Sequence, residues 1–317
     1  MKKFLIASTA LVALSGAAAA EITLSGDAQI GLKYDNRLDD GTIDGRSGWN
    51  VQSRARFTVT MTGETDSGLS FGAKFRPGNG DYTESRDTFS SATTVWAEGS
   101  YGKITVGDVD SAIEQAVGDL VEVGNSGLEF YNEIDYVATN AYDEHNNKGL
   151  VYSYKFGDAT LMASFEDQYV GYSGVKYEGN SWSLGAKYTM SQYTFGIGYS
   201  SGEDFGAGDL KTWGLSAAAD FNGVTVKGLW VQGKDDASKY KQYGISADYT
   251  MANGVGLKGF YRINDITAVA GKEKILGLGA SYDLGGGASV NGGIVRIDDD
   301  EFDFDRTIAD FGLKFSF

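Results

Sequence analysis

TIADFGLKFSF, residues Thr307 to Phe317, decides the fold. Ala309, Phe311, Leu313, Phe315 and Phe317 share one parity, and Ile308, Asp310, Gly312, Lys314 and Ser316 share the other. A period of two marks a strand whose two faces meet different surroundings. In a soluble protein so apolar a terminal strand would be an aggregation-prone edge. It becomes harmless if it closes a barrel against the first strand and turns its apolar face to lipid.

The same alternation runs through the chain. Ile22 to Tyr34 carries Leu24, Ile30 and Leu32 on one face and Asp27, Gln29 and Lys33 on the other. Trp49 to Met61 sets Val51, Phe57 and Val59 against Gln52, Arg54 and Arg56. A third strand has Phe71, Ala73 and Phe75 outward, Lys74 and Arg76 inward, and ends at Pro77. Eleven further alternating segments follow the two centred on Val95 and on Ile104 with Val106. They are punctuated by turn signals such as Asn222-Gly223, Asn253-Gly254 and Gly285-Gly286-Gly287. The total is sixteen strands, an even number as single-chain outer-membrane barrels require. Outward aromatics fall near both strand ends, as with Trp182 and Tyr188, Tyr193 and Tyr199, and Trp213 and Phe221. Such positions suit two interfacial girdles. The inward parity is rich in Gly, Ser, Thr, Asp and Lys and offers little aromatic surface beyond Phe260.

Composition agrees. Gly is 45 of 317 residues, about twice the usual ~7%, with one Pro and 13% aromatics. A helical protein would not tolerate so much Gly, and a disordered one would be poor in aromatics. Met1-Lys2-Lys3, the apolar run Phe4 to Leu14 and Ala18-Ala19-Ala20 form a secretory signal peptide over residues 1–20. The barrel domain is then 21–317. Mean hydropathy is −0.25, and no later apolar run is long enough for a transmembrane helix. Without the two leader lysines, 25 basic residues face 43 acidic ones, a net charge near −18. Nucleic acid is excluded as a partner on that balance. Cysteine is absent, which excludes disulfides, thiol catalysis and cysteine-built zinc sites. His145 is the one histidine and has no nucleophile elbow near it, so the chain reads as a non-enzyme.

EITLSGDAQIGLKY (Glu21 to Tyr34), GKITVGD (Gly102 to Asp108), AIEQAVGDLVEVG (Ala112 to Gly124), LGLGASYDLGGGAS (Leu276 to Ser289) and DFGLKFSF (Asp310 to Phe317) together resemble general-diffusion porins. The likeness is strongest to the trimeric outer-membrane porins of purple non-sulfur photosynthetic bacteria. The resemblance implies a sixteen-stranded antiparallel transmembrane β-barrel whose long third loop folds into the pore. It also implies a homotrimer in the Gram-negative outer membrane, in contact with membrane lipid and lipopolysaccharide, that passes small hydrophilic solutes and ions.

The third long loop corresponds to residues 108–148, where alternation stops. It is strongly acidic, with Asp108, Asp110, Glu114, Asp119, Glu122, Glu129, Glu133, Asp135, Asp143 and Glu144. Ala112, Ile113, Val117, Leu120, Val121 and Val123 give it an apolar side that a solvated loop would not need. That side is expected to pack on the inner wall, with carboxylates lining the opening. Lys33, Arg54, Arg56, Lys74 and Arg76 lie on the inward parity of three consecutive strands and form the expected basic wall opposite. Such charge patches set pore selectivity, and the acidic excess suggests mild cation preference. No cofactor is indicated. Calcium at Asp298, Asp300 and Asp303 is an alternative to plain solvated acidity, since Ca²⁺ takes several carboxylate oxygens. A solute-specific channel, and a plugged structural or adhesive barrel, remain open at this point.

Overall fold

The computed structural model describes residues 20–38, 48–76, 78–79, 92–139, 148–172, 175–204, 208–234, 238–266, 271–300 and 304–317. Residues 1–19, and Asp143, Glu144, His145 and Asp303, lie outside them.

The strands are β1 (Glu21–Asp35), β2 (Trp49–Glu64), β3 (Ser70–Arg76), β4 (Ala92–Gly99) and β5 (Gly102–Gly107), followed after the long insert by eleven more. These are β6 (Lys148–Phe156), β7 (Ala159–Tyr172), β8 (Val175–Met190), β9 (Tyr193–Asp204), β10 (Gly208–Phe221) and β11 (Val224–Lys234). The last five are β12 (Lys239–Thr250), β13 (Val255–Ile266), β14 (Lys272–Gly285), β15 (Ala288–Asp299) and β16 (Phe304–Ser316). Each pairs antiparallel with its neighbour, and β1 pairs with both β2 and β16, which closes the sheet. β3 ends at Arg76, ahead of Pro77, which lies outside the described residues. Gly78–Asn79 continues it beyond that position and pairs with Ala55 and Arg56 of β2. Counted with β3, this segment leaves sixteen strands.

Closure rests on the terminal strand. Nine positions pair from Asp27↔Ser316 to Asp35↔Ile308. Gly26 and Phe317 then exchange both backbone hydrogen bonds, at 3.1 and 2.8 Å. From Gly26 to Asp35, β1 is thus paired with β16, the closure a bilayer demands.

Short turns join the strands at one end, and long connections lie at the other. Asn222 and Gly223 both take positive φ, 54° and 90°, the backbone of a hairpin turn whose twist matches the strands. Outward side chains are apolar and exposed: Leu24 is 69% exposed and Val51 67%. In water such surface would be costly; against lipid it is not. Outward aromatics gather at both ends. Tyr34 with Trp49 (5.2 Å between centroids), and Tyr199 with Trp182 (5.4 Å) and with Trp213 (4.5 Å), sit towards the long connections. Tyr193 with Phe221 (6.4 Å) sits at the turn end.

The buried apolar cluster is inside the barrel. It joins Ile113, Val117, Leu120, Val123, Leu128 and Tyr136 of the insert to Leu229, Val231, Phe260, Ile275, Val295 and Ile308 of the inner wall. The inward parity of β11 to β16 is therefore partly apolar, although the inward set as a whole is rich in Gly, Ser, Thr, Asp and Lys. The insert covers it.

Candidate functional site

The insert runs along the inner wall from β7 round to β1. It opens with helix α1 (Ala112–Val117), capped by Ser111, whose Oγ accepts from the Glu114 amide at 3.4 Å. The next two free amides are met by the wall: Ala112 N–H donates to Ser164 Oγ at 3.0 Å and Ile113 N–H to Ser183 Oγ at 3.2 Å. Helix termini need such partners when buried. Glycine lets the helix lie this close. A Cβ on Gly185 would stand 2.1 Å from the Ala112 carbonyl oxygen, and one on Gly196 2.1 Å from that of Ala116. The wall glycines here serve close approach rather than turning.

Further along, Asp310 of β16 receives the insert. Its carboxylate accepts from the amides of Asn125 (2.9 Å) and Ser126 (2.6 Å) and from Ser126 Oγ (2.7 Å). Gln242 and Asp135 bond reciprocally at 3.1 to 3.3 Å, and Arg262 donates to the Glu133 carbonyl. Lys227 Nζ donates to the Asp119 carbonyl at 2.8 Å. Leu128, Glu129 and Phe130 carry positive φ in succession, 47°, 60° and 56°. Left-handed backbone costs about 1–2 kcal/mol per residue, so this turn persists only where its surroundings hold it. They do: Glu129 accepts from Lys33 Nζ (2.7 Å) and from Arg306, whose NH1 lies 2.6 Å from its carboxylate. Arg306 is itself bound to Asp35 at 2.5 Å, with both side chains buried, and to the Tyr131 hydroxyl at 2.6 Å.

The insert thus has two faces. Ala112, Ile113, Val117, Leu120 and Val123 are buried against the wall and Val121 is half-buried. Asp108, Asp110, Glu122, Glu129, Glu133 and Asp135 are exposed towards the lumen. Glu114 and Asp119 are half-buried, and Asp119 turns inwards to accept from the Ile134 amide at 2.8 Å. Burial pushes the Asp110 carboxyl up, with Asp108 adding to it. Burial likewise raises Asp119, against the Ile134 hydrogen bond. Enclosure within the barrel, then the carboxylates of Asp119, Glu122, Asp110 and Asp135, push Glu133 up to about 7, although its side chain meets the lumen. Glu129 goes the other way. Burial opposes its charge, but the hydrogen bonds from Arg306 and Lys33 outweigh it and hold the carboxyl below the usual range.

The basic residues fall on one stretch of inner wall, but among the described residues only one of the five bonds to the insert directly. Lys33 does, through Glu129. Arg54 and Arg56 instead share Asp27 of β1, at 3.5 and 3.0 Å. Lys74 and Arg76 stand alongside on β3, in register with Thr60 and Thr94 and, for Arg76, with Ala92. Lys314, inward on β16, meets Glu122 at 3.5 Å. The sequence reading passed over Asp27, Arg306, Asp310 and Lys314. Their inward parity was legible; the cross-barrel partners that give them their roles were not. It also passed over Trp96, which faces inward on β4 over Gly72, with Lys103 Nζ 5.4 Å from its ring. Phe260, by contrast, lies buried under the insert.

At the acidic stretch of β15 and its loop, Asp300 binds Lys274 at 2.8 Å and Asp305 binds Arg296 at 2.9 Å. Among the described residues no group of three or more potential metal ligands converges.

A closed sixteen-stranded antiparallel barrel, apolar outside and carrying a charged internal loop, defines a transmembrane channel of the outer-membrane type. The chain belongs to the Gram-negative porin family, whose model matches residues 7–301. A porin of Rhodobacter capsulatus is 35% identical over 322 aligned residues, covering 94% of this chain and all of that one. A porin of Fuscovulum blasticum is 27% identical, with the same coverage. A porin structure refined at 1.8 Å superposes with a TM-score of 0.77 at 32% identity, over 94% of this chain and all of the other. The protein is an outer-membrane general-diffusion porin, and the members of its family are channels.

Proposed function

We propose that residues 108–148 form the constriction of a water-filled pore, with selectivity set by a split waist. Carboxylates of the insert, Glu122, Glu129 and Glu133 foremost, line one side. Lys33, Arg54, Arg56, Lys74 and Arg76 line the other, with Lys314. Solutes pass by diffusion and no bond is made or broken. The observation that carries this reading is the Lys33–Glu129–Arg306 bridge, which fixes an insert with a buried apolar face across the barrel. The net acidic charge of the chain supports cation preference. Residues 1–20 are a leader removed on export, and the working unit is a homotrimer seated among outer-leaflet lipids that include lipopolysaccharide.

Planar-bilayer recording in KCl tests this. Large steps in groups of three that scale with bulk salt are expected. Silence from folded, heat-modifiable protein would instead favour a plugged barrel.

A further inference from the structure

Tryptophan occurs five times in the chain, and Trp49, Trp182, Trp213 and Trp230 all take the outward parity. Trp96 is the exception. On β4 it lies between the outward Val95 and Ala97 and faces the lumen. Phe260, also inward, is buried under the insert, whereas Trp96 is only half-buried. An indole left partly in water forgoes much of what burial of its surface contributes. Its place in a charged, wet lumen needs a reason.

The surroundings supply one. Gly72 of β3 is the direct partner of Trp96, and a Cβ there would stand 2.2 Å from Cζ2 of the indole. The missing side chain lets the ring lie down on β3 and leaves its other side to the lumen. Lys103 of β5 holds its ammonium 5.4 Å from the ring centroid. Glu98 approaches Lys103 at 3.8 Å, but both are well exposed, and such pairs contribute little. Lys74, two residues on from Gly72, meets no carboxylate among the described residues. Thr62 and Thr105, direct partners of Gly72 and Trp96, add hydroxyls on the same parity. Trp96 is three residues from Gly99, where β4 turns into β5. It therefore lies just beyond the basic wall towards the short turns, which in these barrels mark the periplasmic end.

We propose that this corner of the lumen is a binding subsite for planar aromatic carboxylates. The ring of the solute stacks on the open side of Trp96, and Lys103 and Lys74 hold its carboxylate. Stacking rewards a flat π-face, and the ammonium groups select negative charge. The subsite accounts for two features that plain diffusion leaves idle: an indole open to water and a glycine that lets it lie flat. One class of solute is thus held on the periplasmic side of the waist while other small solutes pass. The proposal rests on the pore reading, which supplies the water-filled lumen.

The test is single-channel recording in KCl with 2-naphthoate added to either side. Brief closures that grow more frequent with 2-naphthoate are expected. Trp96→Ala should weaken the block about tenfold or more, the scale of losing a stacking partner, and Lys103→Gln by up to about fivefold. Trp96→Phe, which keeps a π-face, should retain most of it. Should Trp96→Ala fail to fold, Trp96→Leu keeps apolar bulk over Gly72 and should show the same loss. Cyclohexanecarboxylate has the charge without the flat ring and should block no better than 2-naphthoate blocks Trp96→Ala. No block of the wild type, an equal block of the Trp96 variants, or an equal block by cyclohexanecarboxylate would overturn the proposal. Open-channel conductance without solute reads the pore itself, so in each of those cases the pore reading stands. If no channel opens, the pore reading fails, and saturation-transfer NMR of 2-naphthoate with folded porin in detergent decides on the subsite. Contact with the wild type that Trp96→Ala loses supports it; equal or absent contact overturns it.

Discussion

Two arcs of the inner wall share a parity rule and little else. On β1 to β4 the inward side chains are long and charged or polar: Lys33, Arg54, Arg56, Lys74 and Arg76, with Trp96. From β7 to β16 they shrink to Ser164, Ser183, Gly185 and Gly196 and then turn apolar at Val231, Ile275, Val295 and Ile308. The first arc faces water. The second is a berth for the insert. Alternation distinguishes lipid from interior, but interior is not the same as wet. What separates the arcs is side-chain size and polarity within the inward set, and that set has meaning only once the insert lies upon it.

The largest expected effect comes from the joint between the arcs. Arg306 is buried with Asp35 and bridges to Glu129. Arg306→Ala leaves the buried Asp35 with Arg37 alone, at 3.3 Å, and Glu129 with Lys33 alone, a loss approaching the roughly 3–5 kcal/mol of breaking a buried pair. The urea midpoint of the folded porin should fall accordingly, and hydrogen exchange at Leu128 to Phe130 should accelerate. An unchanged midpoint would mean the bridge does not join the arcs.

Asp310→Ala comes next. It removes the acceptor of three hydrogen bonds from Asn125 and Ser126. Bonds to charged groups are worth about 1.5–3 kcal/mol each, but water can replace part of this, so a net loss of about 2–4 kcal/mol is expected. It should show as protease cleavage within 120–139 while the barrel stays heat-modifiable.

Gly196→Ala probes the berth itself. Its Cβ would press on the Ala116 carbonyl, and overpacking of this kind costs about 1–3 kcal/mol. The expected outcome is a shifted α1 and a changed single-channel conductance with the barrel intact. Wild-type conductance would show that α1 does not set the opening.

The smallest effect is one of pH. Glu133 is held up at about 7, whereas Glu129 is held below the usual range. A carboxyl with a raised native pKa binds its proton more tightly when folded. It therefore destabilises the fold as pH climbs from the ordinary carboxylate range to about 7, and its penalty is constant above that. In the pore the sign is simple: Glu133 is charged above 7 and neutral below. Cation preference should weaken as pH falls from 8 to 6, and Glu133→Gln should abolish that step. Glu129 should stay ionised throughout the window.

Most of the barrel was legible in sequence because lipid enforces parity so strictly. Every strand from Ile22 to Phe317 declares its outward face, and Asn222-Gly223 fixes its hairpin by backbone need alone. The insert was legible as a break in period with an apolar side. Three features were not. Val295 and Ile297 fall on the inward parity with nothing local to mark them as packed core. Arg54 and Arg56 read as facing the insert, yet Asp27, two strands' width of sequence away and directly in register with Arg56, takes them first. Nothing in the sequence sets Arg306 and Asp310 apart from other inward charges. Their partners are more than 170 residues distant, and no local pattern encodes such a pairing.

The account turns on a waist divided between cations of the open arc and carboxylates of the covered one. The zero-current potential in a KCl gradient at pH 8, for wild type and Arg54→Glu, measures that division directly. Cation preference in the wild type, strengthened by Arg54→Glu, is the expected result. Anion preference, or a potential indifferent to the substitution, would contradict it.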